Sequence, residues 1–194
     1  LKEYCDRHGY GLFIRLEPEP YSGFSKFTLI RQIFKRCPEY NAVMSIDLDT
    51  LIANHETKIQ DFIYLGKSLH ICRDINGINA GVFILKNNEW ADDFIQFVLS
   101  YEGQMDCEQN AIDHYMEKWP HDEQIKILPH PSINSYPMDY YAPSYGKIGY
   151  KRGDIVERPE HEEGDFECGD FICHVPGHTI PKRLEILKSI KIIK

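Results

Sequence analysis

Ala42-Val43-Met44-Ser45-Ile46-Asp47-Leu48-Asp49 is a short, mostly apolar run that stops at two aspartates separated by one residue. Its length and composition suit a strand, and we read it as a central strand of a buried sheet. Before it, Phe24, Phe27, Ile30 and Phe34 recur at helical spacing and predict a helix ending near Cys37 and Pro38. After it, Leu69 to Cys72, Gly81 to Leu85, Ile125 to Leu128 and Phe171 to Val175 read as strands, with Asn76 to Asn79 as a turn. Helices are predicted over Glu89 to Tyr101 and Glu108 to Trp119, and a basic amphipathic helix over Pro181 to Lys194. Tyr10 to Arg15 is one more strand candidate, following a helix-like Leu1 to His8. Alternating strands and helices predict an α/β fold, a sheet covered by helices.

The length, 194 residues, suits one domain, here taken as residues 1–194. With 42% hydrophobic and 27% charged residues the chain has the composition of a folded domain. Lys and Arg number 22 against 30 Asp and Glu, a net charge of −8, the wrong sign for gathering nucleic acid by counterion release. No apolar run approaches the ~20 residues of a spanning helix, and no signal-peptide pattern opens the chain. Nothing here fixes a compartment, so a Golgi lumen and a cytoplasm both stay open.

Four clusters carry candidate chemistry. Asp47 and Asp49 lie at the carboxyl end of a predicted strand, where open α/β sheets bind ligands. Their mutual repulsion is relieved by a hard divalent cation such as Mg²⁺ or Mn²⁺, or the two are simply solvated loop carboxylates. Asn79-Ala80-Gly81 opens a buried strand; the small pair admits close approach of a ligand and the Asn79 amide suits a sugar hydroxyl, or the segment is only a turn entering the core. Glu108-Gln109 stands at a helix start, where the dipole alone favours a carboxylate. His174-Val175-Pro176-Gly177-His178, followed by Lys182 and Arg183, combines an imidazole, a glycine and cations fit for a diphosphate and its metal. Cys168 and Cys173 with His174 and His178 also admit a zinc reading, but their spacing lacks the two ligand pairs of a structural site. Tyr136, Tyr140, Tyr141, Tyr145 and Tyr150, in a long irregular stretch, suit either an acceptor platform or the packing of a loop.

In order, these blocks resemble a nucleotide-sugar glycosyltransferase of the GT-A type, most similar to the galactosyl, xylosyl and mannosyl transferases of glycosyltransferase family 34. Lys26 to Arg31 leading to Ser45-Ile46-Asp47-Leu48-Asp49 is similar to that family's Lys-bearing helix and Asp-x-Asp strand. Asn79-Ala80-Gly81-Val82-Phe83 with Lys86, Asn87 and Trp90 resembles its Asn-Thr-Gly strand, Glu108-Gln109-Asn110-Ala111 its Asp-Gln-Ser-Ala helix start, and His174-Val175-Pro176-Gly177 its His-x-x-Gly. Ala80, Glu108 and His178 depart from the residues usual in the family.

The resemblance implies a Rossmann-like mixed sheet flanked by helices and a metal, Mn²⁺ or Mg²⁺, held by Asp47, Asp49 and His174. It implies Gly177 and Lys182 at the diphosphate, Asn79, Gly81 and Lys26 near the donor, and Glu108 and Gln109 at the transferred sugar. The activity implied is transfer of a hexose or pentose from a nucleoside-diphosphate sugar to a glycan or other hydroxyl acceptor, with retention of configuration. By the same comparison the first, nucleotide-binding strand is absent or lies upstream of Leu1, so the domain reads as truncated at its amino end. Two other classes compete: a non-catalytic sugar-nucleotide or glycan-binding domain, and a metal-dependent hydrolase using Asp47 and Asp49.

Overall fold

The computed structural model describes residues 1–15, 22–74, 77–137, 166–176 and 178–189. Its helices are α1 (Lys2–His8), α2 (Ser25–Arg36), α3 (Glu89–Leu99), α4 (Glu108–Lys118), the single turn α5 (His130–Ile133) and α6 (Ile180–Ser189). The strands are β1 (Ala42–Ile46), β2 (Thr50–Ile52), β3 (Leu69–Asp74), β4 (Gly77–Lys86), β5 (Ile125–Leu128) and β6 (Ile172–His174).

A four-stranded sheet runs β1-β4-β3-β5, and a two-stranded one pairs β2 with β6. The larger sheet is mixed: β4 is antiparallel to both β1 and β3, while β3 and β5 are parallel. β4 is buried from Ile78 to Leu85, as expected of a strand covered on both faces. On one face Ile78, Ala80, Phe83 and Leu85 meet Phe27 and Ile30 of α2, Phe94 and Val98 of α3, and Ile112 of α4. On the other, Val82 joins Tyr4, Ile52, Leu128 and Phe171.

The switch of parity between Ala80 and Phe83 has a visible cause. β3 pairs Ile71 with Phe83 but Cys72 with Asn79, leaving Ala80, Gly81 and Val82 between the two pairs. Such a bulge re-aims the strand locally and frees backbone groups from the ladder. This one lies beside the end of β1.

Three expectations are corrected. β1 is not central: among the described strands it stands at the end of the order, joined to β4 alone and half-exposed along its length. Tyr10 to Arg15 forms no strand; Leu12, Phe13 and Ile14 stay exposed, because an apolar run becomes a strand only where a ladder partner exists. The segment read as a turn before Gly81 is instead strand from Gly77 on, which its pairing with Asp74 dictates. The last helix ends, among the described residues, at Ser189. All six cysteines are free, and burial followed by the nearby Asp170 pushes the Cys173 thiol up to about 12. No helix among the described residues is long and apolar enough to cross a membrane.

Candidate active site

The end of β1 turns sharply. Asp47 N still donates to Gly81 O at 2.9 Å, and then Thr50 returns its N–H (3.1 Å) and its hydroxyl (2.6 Å) to Asp47 O. Leu48 is left at the tip, 84% exposed, while both flanking carboxylates turn inward. β2 then runs back to pair Thr50 with His174, and Val175 N donates to Asp49 O at 2.8 Å. Pairing β2 with β6 therefore carries His174, more than 120 residues away in sequence, to the Asp-x-Asp turn.

Asp47 and Asp49 take different partners. Lys26, in the first turn of α2, has a largely covered side chain, 9% exposed, and its Nζ donates to Asp47 Oδ1 (2.8 Å), Glu108 Oε1 (2.8 Å) and Ala80 O (3.0 Å). The third of these is a carbonyl of the β4 bulge. A cation in a first helical turn opposes the helix dipole, and the two carboxylates offset that cost. Burial alone would lower the Lys26 pKa; Asp47 and Glu108 reverse it and hold the ammonium above its ordinary range. For Asp47, burial is the larger influence and, with Asp49 and Glu108 nearby, pushes its carboxyl up against the pull of Lys26.

Asp49 faces His174 and Arg183. Burial would raise its carboxyl, but His174 and then Arg183 hold it below the usual value. Arg183 Nη2 donates to Asp49 Oδ2 at 3.2 Å. His174 is buried, with Nδ1 2.7 Å from Oδ1 of the fully buried Asn134 and Nε2 3.2 Å from Asp49 Oδ1. An amide oxygen only accepts, so His174 carries a proton on Nδ1 and turns Nε2 toward Asp49. Asp49 Oδ1 is buried and accepts no hydrogen bond from the described residues. A ring nitrogen and a carboxylate oxygen 3.2 Å apart call for a proton or a cation between them. The charges agree: three carboxylates (Asp47, Asp49, Glu108) surround two permanent cations (Lys26, Arg183), leaving 2 − 3 = −1.

The oxygen and nitrogen donors Asp49 and His174 thus fit a divalent ion. Among the described residues, no three or more side chains of ligand type are assembled as a cage, and Asp47 is engaged with Lys26. Of the expected trio, Asp49 and His174 come together, and Asp47 stands beside them on the ammonium.

The remaining expected residues divide. Asn79 accepts from Gly81 N through Oδ1 (2.9 Å) and donates through Nδ2 to the buried Tyr136 hydroxyl at 2.5 Å. Gln109 Oε1 accepts from Ala80 N at 3.2 Å. Both amides thereby brace the bulge. Gly81 does admit a close neighbour, but that neighbour is His174: a Cβ there would lie 2.5 Å from the ring Cε1. Lys182 is half-exposed on α6 and pairs with Glu185 at 2.9 Å; Arg183, one residue on, faces the site instead. Gly177 lies outside the described residues, as do Tyr140, Tyr141, Tyr145 and Tyr150.

An open groove of about 900 Å³ runs beside β1. Leu12, Ile14, Leu29 and Val43 give it an apolar flank, and Lys26, Asp47, Asp49 and Arg183 stand at its polar end.

The model of the galactosyl transferase GMA12/MNN10 family matches residues 1–70 and 65–160. The chain belongs to that family. It is 26% identical to an uncharacterized alpha-1,2-galactosyltransferase of Schizosaccharomyces pombe, the match covering 79% of this chain and 52% of that protein. It is 27% identical to a probable alpha-1,6-mannosyltransferase of Saccharomyces cerevisiae, over 70% and 46% of the two chains. The chain spans about half the length of these relatives. Among solved structures it resembles a glycosyltransferase involved in glycosylation of the major capsid of PBCV-1 (TM-score 0.67, 18% identity, 99% and 88% coverage). It also resembles the galactosyltransferase LgtC in complex with donor and acceptor sugar analogs (TM-score 0.53, 14% identity, 98% and 74% coverage). The fold of this family member is therefore the GT-A type expected from its motifs.

Several groups of the site carry no local sequence signal. Asn134 sits in an ordinary Pro-Ser-Ile-Asn-Ser stretch and acquires its role 40 residues from His174. Tyr136 reads as one tyrosine among many. Arg183 is distinguishable from Lys182 only by which side of α6 faces β2, and that is a packing outcome.

Proposed function

We propose that the chain carries the catalytic part of a metal-dependent glycosyltransferase, which moves a hexose or pentose from a nucleoside-diphosphate sugar to a hydroxyl of a glycan or other glycoconjugate. The observation that carries this reading is the convergence of Lys26, Asp47, Asp49 and Arg183 at one end of a groove with an apolar flank, with the buried Glu108 and His174 bonded to them from behind. Its volume is within the ~300–1,000 Å³ usual for small-molecule sites, and its two ends match the two ends of such a donor.

Asp49 and His174, with Asp47 alongside, would hold Mn²⁺ or Mg²⁺. When bound, such an ion supplies positive charge to the departing diphosphate. Arg183, in place of the expected Lys182, would donate to phosphate oxygens; its planar fork suits them better than an ammonium. Asn134 keeps the His174 proton on Nδ1, so that Nε2 stays a ligand. Glu108 and Gln109 flank the transferred sugar on the side opposite the leaving group, where a carboxylate stabilises developing positive charge. Retention follows if the donor phosphate takes the acceptor proton on the face that it leaves.

Calorimetric titration with a panel of UDP- and GDP-sugars, with Mn²⁺ and with chelator, tests the reading. We expect metal-dependent binding that disappears in Asp49→Ala. Binding unaffected by chelator and by Asp49→Ala would overturn the metal role. Release of free sugar at full rate without an acceptor would favour the hydrolase, and tight binding without turnover the non-catalytic domain.

A further inference from the structure

The Glu108 carboxylate rests on a glycine. A Cβ built on Gly23 would lie 1.7 Å from Glu108 Oε2, 2.3 Å from Cδ and 2.8 Å from Oε1, so the whole carboxylate occupies the volume that any other residue at position 23 would fill. Glu108 is buried, and Oε1 is held 2.8 Å from the Lys26 ammonium. Gly23 lies two residues before α2 and three residues before Lys26, and Gly23 O receives the Lys26 N–H at 3.4 Å. The segment is anchored independently: Ser22 Oγ donates to Glu102 Oε1 at 3.2 Å and Arg15 Nη1 to Ser25 O at 3.2 Å. One short segment therefore supplies both the cation that grips the carboxylate and the gap that seats it.

The glycine is not there for backbone reasons. Gly23 is absent from the glycines with positive φ, so alanine can take the same backbone conformation. The three heavy atoms nearest a new Cβ all belong to the far end of one flexible side chain, which can swing aside. Loss of the glycine is thus tolerable to the fold and damaging to the placement of Glu108.

We infer that Gly23 is a positioning residue for Glu108: its missing side chain is the seat that lets a glutamate at the start of α4 reach Lys26 and present its carboxylate at the transferred sugar. This rests on the transferase reading above. A displacement near 1 Å at a reacting group costs on the order of 10²-fold in rate.

The test is a double-mutant cycle over Gly23→Ala and Glu108→Asp, read in sugar transfer and, separately, in urea unfolding of the full chain. Aspartate is shorter and vacates the volume above Gly23, so the added methyl meets nothing there. The expected result is a loss of about 10²-fold in kcat/KM for Gly23→Ala alone, and less than about twofold for the same change in the Glu108→Asp background. UDP or GDP affinity, which does not involve the sugar, stays unchanged in Gly23→Ala. An equal cost in both backgrounds, no cost in the parent, or a parallel loss of nucleoside-diphosphate affinity would each overturn the inference. If the parent transfers no sugar at all, the transferase reading fails, and the unfolding cycle decides alone: non-additive costs at positions 23 and 108 support the seat, and additive costs overturn it.

Discussion

Lys26 is the side chain on which the site depends most. It is largely covered, charged and bonded to three acceptors that would otherwise repel one another, and removing one partner of such an ionic cluster leaves the others unpaired. Lys26→Met should therefore cost about 3–5 kcal/mol in urea unfolding, whereas Lys182→Met, on the exposed Glu185 pair, should cost less than about 1 kcal/mol. Equal costs would mean that Asp47 and Glu108 find other partners. Glu108→Gln keeps the shape and removes the charge. It should abolish most sugar transfer while leaving nucleoside-diphosphate binding by calorimetry intact, and an unchanged transfer rate would end the proposed role of Glu108. Of these residues, Asp47, Asp49, Glu108 and His174 stood out in the sequence at strand or helix ends, whereas Lys26 was singled out only by the family resemblance. Gly23 did not stand out, because nothing local tells a glycine that seats a distant side chain from one that simply turns the chain.

Elements place these side chains, and two of them can be probed without touching the site. Phe27 of α2 is fully buried, stacks on Phe83 of β4 (centroids 5.3 Å apart) and meets Phe94 of α3 edge-on at 6.1 Å. Phe27→Ala should lower stability by about 3–5 kcal/mol and loosen the first turn of α2, which carries Lys26. His70 of β3 is buried, and its Nε2 accepts the Tyr64 N–H at 2.9 Å, so the folded chain needs that nitrogen unprotonated. Burial depresses its pKa below the ordinary 6.5. The unfolded chain then binds a proton at higher pH than the folded one. This contribution is present above pH 6.5 and is lost as the pH falls toward the depressed folded value. Urea midpoints measured downward from neutral pH should fall less steeply in His70→Gln, whose amide oxygen still accepts from Tyr64; identical slopes would contradict this account. The helices α2, α3 and α4 followed directly from apolar spacing. Tyr10 to Arg15 did not behave as its composition suggests, because strand formation depends on a partner that the segment itself does not encode.

For the whole molecule, the consequence of the two-sided core is a graded protection of its six thiols. Cys5, Cys72 and Cys173 are buried, Cys37 and Cys107 are partly covered, and Cys168 is exposed. Burial and Asp170 also keep the Cys173 thiol protonated, and the thiolate is the reactive form. A maleimide pulse on the native chain should label Cys168 first and leave Cys72 and Cys173 untouched until denaturant is added. Early labelling of Cys173 would mean that β6, and with it His174, separates readily from β2.

By itself the sequence determined the α/β class, the helices over β4, the Asp-x-Asp turn at the end of β1 and membership of a glycosyltransferase family, because apolar period and ordered motifs are local properties. Only the tertiary structure decided that β1 stands at the end of the described order, that a β2–β6 pairing is what carries His174 to the Asp49 it was expected to join, and that Arg183 rather than Lys182 faces the site. It also decided that Asn134 orients the imidazole and that Gly23 seats Glu108. The physical reason is shared: each of these depends on which distant surfaces become neighbours when the sheets close, and pairing energy between remote segments leaves no period or motif in either of them.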